Sequence, residues 1–102
     1  MAIPVQKIFE INEIARPLFE QYKVRRIAVF GSFVRGNVEK ESDIDMLVSF
    51  EDKYDLFDII GLKQDLEELL GRKVDLLTFN SLEDDEFSQI VQREAKTIYE
   101  KS

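Results

Sequence analysis

Apolar residues along the chain recur first at helical intervals, then in short unbroken runs, and the two patterns alternate to the end. Val5, Ile8, Phe9, Ile11, Ile14, Ala15, Leu18 and Phe19 recur three or four residues apart, which predicts an amphipathic helix over residues 5 to 22. Pro17 lies inside it; with no N–H to donate, it predicts a kink or a division into two pieces. Ile27 to Phe30 is wholly apolar and stops at Gly31-Ser32, the pattern of a buried strand. A second strand is predicted from about Ile44 to Phe50. Leu56, Ile59, Ile60, Leu62, Leu66, Leu69 and Leu70 trace a helix that stops at Gly71, and its leucines are expected in the core. Gly61 within it costs about 1 kcal/mol relative to Ala and marks a place for a bend. Lys73 to Phe79 reads as a third strand. A last helix is predicted from about Leu82, with Phe87, Ile90, Val91, Ala95 and Ile98 on its inner side.

The resulting order is α-β-α-β-α-β-α, counting a short turn of helix near Phe33 to Arg35. Strands one and two are separated by about a dozen residues, too few for a comfortable helical crossover, so an antiparallel pair is expected there. The fold class is α/β, with α+β character: a mixed three-stranded sheet packed by helices. The 102 residues suit one domain spanning 1–102, with no internal repeat or linker. So short a chain builds a thin core, which leaves room for further burial against a partner or a second copy.

Composition narrows the chemistry. There is no Cys and no His, so disulfides, thiolate metal sites and the commonest general base are all excluded. Catalysis would have to run on carboxylates, hydroxyls, Lys or Arg, and a metal would be a hard, oxygen-bound ion such as Mg²⁺. With 21 acidic residues against 14 basic, the net charge is −7. That charge is poorly suited to gripping a nucleic-acid backbone, so no direct nucleic-acid contact is expected. No apolar run reaches membrane-spanning length, and the start lacks a basic region before an apolar stretch; a soluble, cytoplasmic protein is expected.

The stretch richest in chemistry runs Gly31-Ser32-Phe33-Val34-Arg35-Gly36, then on to Ser42-Asp43-Ile44-Asp45. Residues two apart on a strand share a face, so the carboxylates of Asp43 and Asp45 converge while Ile44, Met46 and Val48 face the other way. Two carboxylates opening an otherwise apolar strand repel each other and lose hydration, a conflict that a bound dication resolves. Two such ions about 3.5–4 Å apart can clamp a phosphoryl group and activate an attacking oxygen. Gly31 lets the backbone approach a phosphate, and the exposed amides and the Ser32 hydroxyl can bind its oxygens. Arg35 either steadies this loop through a salt bridge or lies near the phosphates.

Together these residues resemble the nucleotidyltransferase superfamily that includes DNA polymerase beta, whose hallmark is Gly-Ser, ten residues, then Asp-x-Asp. The ten residues here are Phe33 to Ser42. The whole block looks like the minimal nucleotidyltransferase branch, which commonly shows GSxARG and SDxD; Val34 stands where Ala is usual. The resemblance implies Asp43 and Asp45 as metal ligands, Asp75 on a later strand as the third carboxylate, and Gly31 and Ser32 as triphosphate contacts. It implies Mg²⁺ in a two-ion site and ATP as substrate. Many small members are antitoxins beside a HEPN-type ribonuclease toxin and transfer AMP to one of its tyrosines, so a HEPN-type toxin is the implied partner.

Simpler readings compete. A Gly-Ser pair after a strand is usually a turn, and Asp-x-Asp is often solvated strand-edge charge. Asp75 could merely solvate the mouth of a strand beside Arg72 and Lys73. The run Glu83-Asp84-Asp85-Glu86 is most simply favourable charge at a helix N-terminus. Tyr22, Tyr54 and Tyr99 read as surface or boundary residues. At the level of function, a small-molecule acceptor or a purely occluding, non-catalytic antitoxin stands against AMP transfer to a protein.

Overall fold

In the computed structural model, which describes residues 8–34 and 43–101, the chain builds a sheet with helices on both faces. The elements are α1 (Ile8–Gln21), β1 (Val24–Phe30), β2 (Ile44–Phe50), α2 (Leu56–Leu70), β3 (Val74–Thr78), α3 (Glu86–Glu94) and β4 (Lys96–Glu100). Single 3-10 turns follow β1 at Gly31–Phe33 and β3 at Phe79–Ser81. The sheet order is β3-β2-β1-β4. β1 runs antiparallel to both β2 and β4, as the short link between β1 and β2 requires, and β2 runs parallel to β3 across the α2 crossover.

The pleat sorts the core. Ile44, Met46 and Val48 of β2 face one side with Ile27, Val29, Val74 and Ile98, against Ile11, Ala15 and Phe19 of α1 and Leu62, Leu66 and Leu70 of α2. Leu47 faces the other side with Ala28 and Phe30, where Val91 of α3 covers them. Both central strands are thus buried on two faces, which is why β1 reads as an unbroken apolar run.

The mixed α/β class holds, but the sheet has four strands, not three. The predicted last helix ends at Glu94; Ile98 is buried on β4, and Phe87 and Ile90 are exposed rather than inward. The spacing of Val91, Ala95 and Ile98 mimics a helical period, but Thr97, Ile98 and Tyr99 are good strand formers. A β1 buried on both faces would otherwise leave a bare edge beside an apolar core. β4 closes that edge.

α1 is undivided at Pro17. The carbonyl deprived of a donor is that of Glu13, and both residues are exposed, so water can serve it. Residues 5 to 7 of the expected helix lie outside the described residues. Gly61 does not interrupt α2 either. A Cβ there would lie 2.9 Å from the Tyr22 hydroxyl, which donates to Asp65 Oδ2 at 2.5 Å; the glycine makes room for this link between α1 and α2. That hydrogen bond to a carboxylate, more than burial, pushes the Tyr22 phenol up to about 12. Gly71 (φ 70°) ends α2 in the left-handed region, as expected.

Candidate active site

The end of β1 sets the site. Gly31 adopts φ +79°, a backbone region that strains any residue with a Cβ. The turn it opens is closed by a Val34 N–H to Gly31 C=O hydrogen bond of 3.1 Å. Phe33, 2% exposed, anchors it in the core. Beside Gly31 lies the Asp45 side chain: a Cβ on residue 31 would overlap Asp45 Oδ2 and sit 3.2 Å from its Cγ. Glycine is therefore needed twice, for its conformation and for the space its missing side chain leaves to a carboxylate.

Register brings the second carboxylate alongside. Asp45 pairs with Phe30 across the antiparallel ladder and with Asp75 across the parallel one. Residues paired in this way on neighbouring strands share a sheet face, so Asp45 and Asp75 stand side by side on the face opposite Ile44 and Met46. Asp43 lies one residue ahead of β2, half-buried like Asp45, whereas Asp75 is exposed. Of the expected site residues, Gly31, Asp45 and Asp75 come together, with Asp43 one pleat ahead and the Ser32 backbone in the turn. Arg35 lies outside the described residues. Among the described residues, no three acidic side chains close on one point as metal ligands do. A groove of about 460 Å³, lined by Ile14, Leu18 and Leu69, lies between α1 and α2 on the far side of the sheet.

In the sequence, Arg72 stands as a basic neighbour of Asp75. In the structure its guanidinium lies 5.6 Å from the Phe33 ring centroid, against the turn itself. The signal was present in the order Gly71-Arg72-Lys73-Val74: a left-handed stop, then a cation where the chain enters β3 at the level of the acidic strand.

The left-handed glycine turn that ends β1 stands beside carboxylates on the two strands that follow it. The chain belongs to the Polymerase beta, Nucleotidyltransferase family, whose model matches residues 12–102. Protein adenylyltransferase MntA of Thermococcus cleftensis is 48% identical over 67 residues, covering 66% of this chain and 68% of that protein. A toxin–antitoxin crystal structure with AMP-PNP contains a similar chain at TM-score 0.72 and 27% identity, covering 88% of this chain and 73% of that one. A Shewanella oneidensis complex of a tri-AMPylated HEPN toxin with MNT antitoxin also matches, at TM-score 0.64 and 27% identity, covering 89% of this chain and 70% of that one.

Proposed function

We propose that this enzyme transfers AMP from ATP to a hydroxyl of a partner protein, a tyrosine of a HEPN-type toxin, using Mg²⁺. The observation that carries the reading is the registered Asp45–Asp75 pair beside the Cβ-less turn at Gly31. The relatives support the finer terms: one is named a protein adenylyltransferase, one complex holds AMP-PNP, and another pairs an MNT antitoxin with an AMPylated HEPN toxin.

The residues present fit the metal. Asp43, Asp45 and Asp75 would offer only oxygen donors, in a chain without His or Cys, and oxygen donors suit a hard dication. Magnesium bound there would supply charge neutralisation for the transferring phosphoryl group. Asp43 and Asp45 would hold it. Gly31 and Ser32 present backbone amides to the triphosphate, whose close approach the absent Cβ allows. Asp75, the most exposed of the three, faces the acceptor and takes its proton. A tyrosine phenol begins near pKa 10, so it needs such a base near neutral pH. The acceptor oxygen then bonds to the α-phosphorus, and pyrophosphate leaves.

The test mixes the purified chain with Mg²⁺-ATP and a HEPN-type toxin, then reads both proteins by intact-mass and peptide mass spectrometry. AMP on a partner tyrosine is expected. Asp43→Asn, Asp45→Asn and Asp75→Asn should each lower transfer about a hundredfold or more with unchanged circular dichroism. Asp75→Asn should still bind Mg²⁺-ATP. An unmodified partner that is nevertheless inhibited in a stable complex would replace this reading with occlusion. Normal transfer by the Asp43 and Asp45 variants would remove the metal site.

A further inference from the structure

Among the described residues, α3 is the helix on the sheet face that carries Asp45 and Asp75. Its Val91 packs with Ala28, Phe30 and Leu47; Phe30 is the cross-strand partner of Asp45, and Leu47 lies two residues along β2 from it. β3 and β4 are the two edges of the sheet, so the helix that joins them crosses β2 and β1, and its flanks look toward opposite ends of the strands. Gln92 marks one flank, lining a cavity with Arg26 and Phe79. Arg26 pairs with Ser49 and Phe79 follows the end of β3, so that flank faces away from Asp45. Gln92 lies about 100° round the helix from Val91, whereas Phe87 and Ile90 lie about 40° and 100° from it in the opposite sense. They therefore stand on the flank toward Gly31, Asp45 and Asp75. Both are exposed there, Phe87 by 57% and Ile90 by 43%.

Resting on the nucleotidyl-transfer reading, we propose that Phe87 and Ile90 are the docking surface for the acceptor protein, which meets them with an apolar patch rimmed by Lys and Arg. The acceptor hydroxyl has to reach Asp75, which is exposed on the face that α3 crosses. A protein delivering it there comes up against this flank, and an aromatic and a branched side chain give it apolar area to bury. Charge selects the occupant. Glu83, Asp84 and Glu86 are exposed at the start of α3, with Asp43, Asp45 and Asp75 on the strands it crosses toward. A second copy would set this acidic rim against itself, whereas a basic rim neutralises it and speeds the encounter. Leu56 and Phe57 are also exposed, but α2 packs on the other face of the sheet and begins past Phe50, at the end of β2 away from Asp45. A protein seated there does not thereby approach Asp75.

AMP transfer to a HEPN-type toxin, followed against toxin concentration, tests the surface, with toxin binding by calorimetry, thermal melts and sedimentation alongside. Replacing both Phe87→Ser and Ile90→Ser should raise the KM for the toxin about tenfold or more. Turnover at saturating toxin, Mg²⁺-ATP affinity and melting temperature should stay as in the parent chain. Phe87→Leu, which keeps the surface apolar, should retain most of the affinity, and added salt should weaken the parent complex. If the double variant melts early, Ile90→Ser alone should raise the KM in the same direction. A KM for the toxin unchanged in these serine variants, or raised equally by Phe57→Ser, overturns the docking surface and leaves the transfer reading intact. A parent chain that sediments as a dimer until Phe87 and Ile90 are replaced gives the surface to a second copy instead. If the parent chain transfers no AMP, the transfer reading falls; toxin binding without nucleotide then decides the surface, upheld if the serine variants lose it and overturned if they keep it.

Discussion

Gly31 shows how much one residue decides. Its φ of +79° and the Asp45 carboxylate packed against its Cα are independent reasons for glycine. Gly31→Ala is expected to lose about 1–2 kcal/mol from backbone strain alone, read as a lower melting temperature. It should also abolish AMP transfer, because the Asp45 carboxylate must move away from the turn. A variant that melts early yet transfers AMP normally would make Gly31 a structural turn and no more. Asp85 is a contrasting case with a purely local role. It accepts from the Ser88 N–H at 2.9 Å as the α3 N-cap, and its hydrogen bonds with Ser88, the side-chain one foremost, hold its pKa below the usual carboxylate value. The acidic run thus has the helix-start role its composition suggested.

Helix α2 is divided along its length. Asp55 and Asp58 cap it reciprocally, with bonds of 3.0 and 2.9 Å, so its first turn is secure without burial. The expected core role of its whole apolar series is corrected there: Leu56 is 67% exposed and Phe57 83%. The reason lies in α1, which reaches α2 as far as the Tyr22–Gly61 contact before the chain turns into β1. Beyond Gly61, toward Leu56, α1 has ended. Leu62, Leu66 and Leu70 fill the core instead. Urea denaturation should separate the two halves: Leu66→Ala is expected to cost about 2–5 kcal/mol, and Phe57→Ser to stay within about 0.5 kcal/mol. A large loss for Phe57→Ser would show that the first turn is buried in solution.

Across the whole molecule, the helical layer is fastened to the sheet near the site by one carboxylate. Glu67 of α2 accepts from the Val74 N–H of β3 and from Lys63 Nζ, both at 3.0 Å. The Val74 hydrogen bond is the main reason its pKa is held below the usual glutamate value, with Lys63 assisting. A depressed carboxylate contributes stability that is fully present above its unfolded pKa, about 4.3, and is lost as pH falls through the lower folded value. Glu67→Gln should therefore cost about 1 kcal/mol near neutral pH and flatten the fall in stability below that range. Melting curves across the acid range check both effects; an acid limb unchanged from that of the parent chain would show that Glu67 does not contribute to it. Among the described residues, no helix is long and apolar enough to span a bilayer.

The sequence by itself determined what depends on short-range periodicity and local chemistry. β2, the end of α2 at Gly71, the antiparallel β1–β2 link and the Gly31…Asp43-x-Asp45 spacing were all legible, because pleat, left-handed glycine and loop length act over a few residues. Three matters needed the tertiary structure. Residues 96 to 100 became a strand because the distant edge of β1 required a partner, and no local pattern records that need. Gly61 yields its side-chain space to Tyr22, just past the end of α1, so its local cost gave no clue to its purpose. Asp75 came beside Asp45 only when β3 paired in register with β2. Strand alternation placed two carboxylates on one face, but pairing across the sheet, which brings together residues 30 apart in sequence, decided which others would stand next to them.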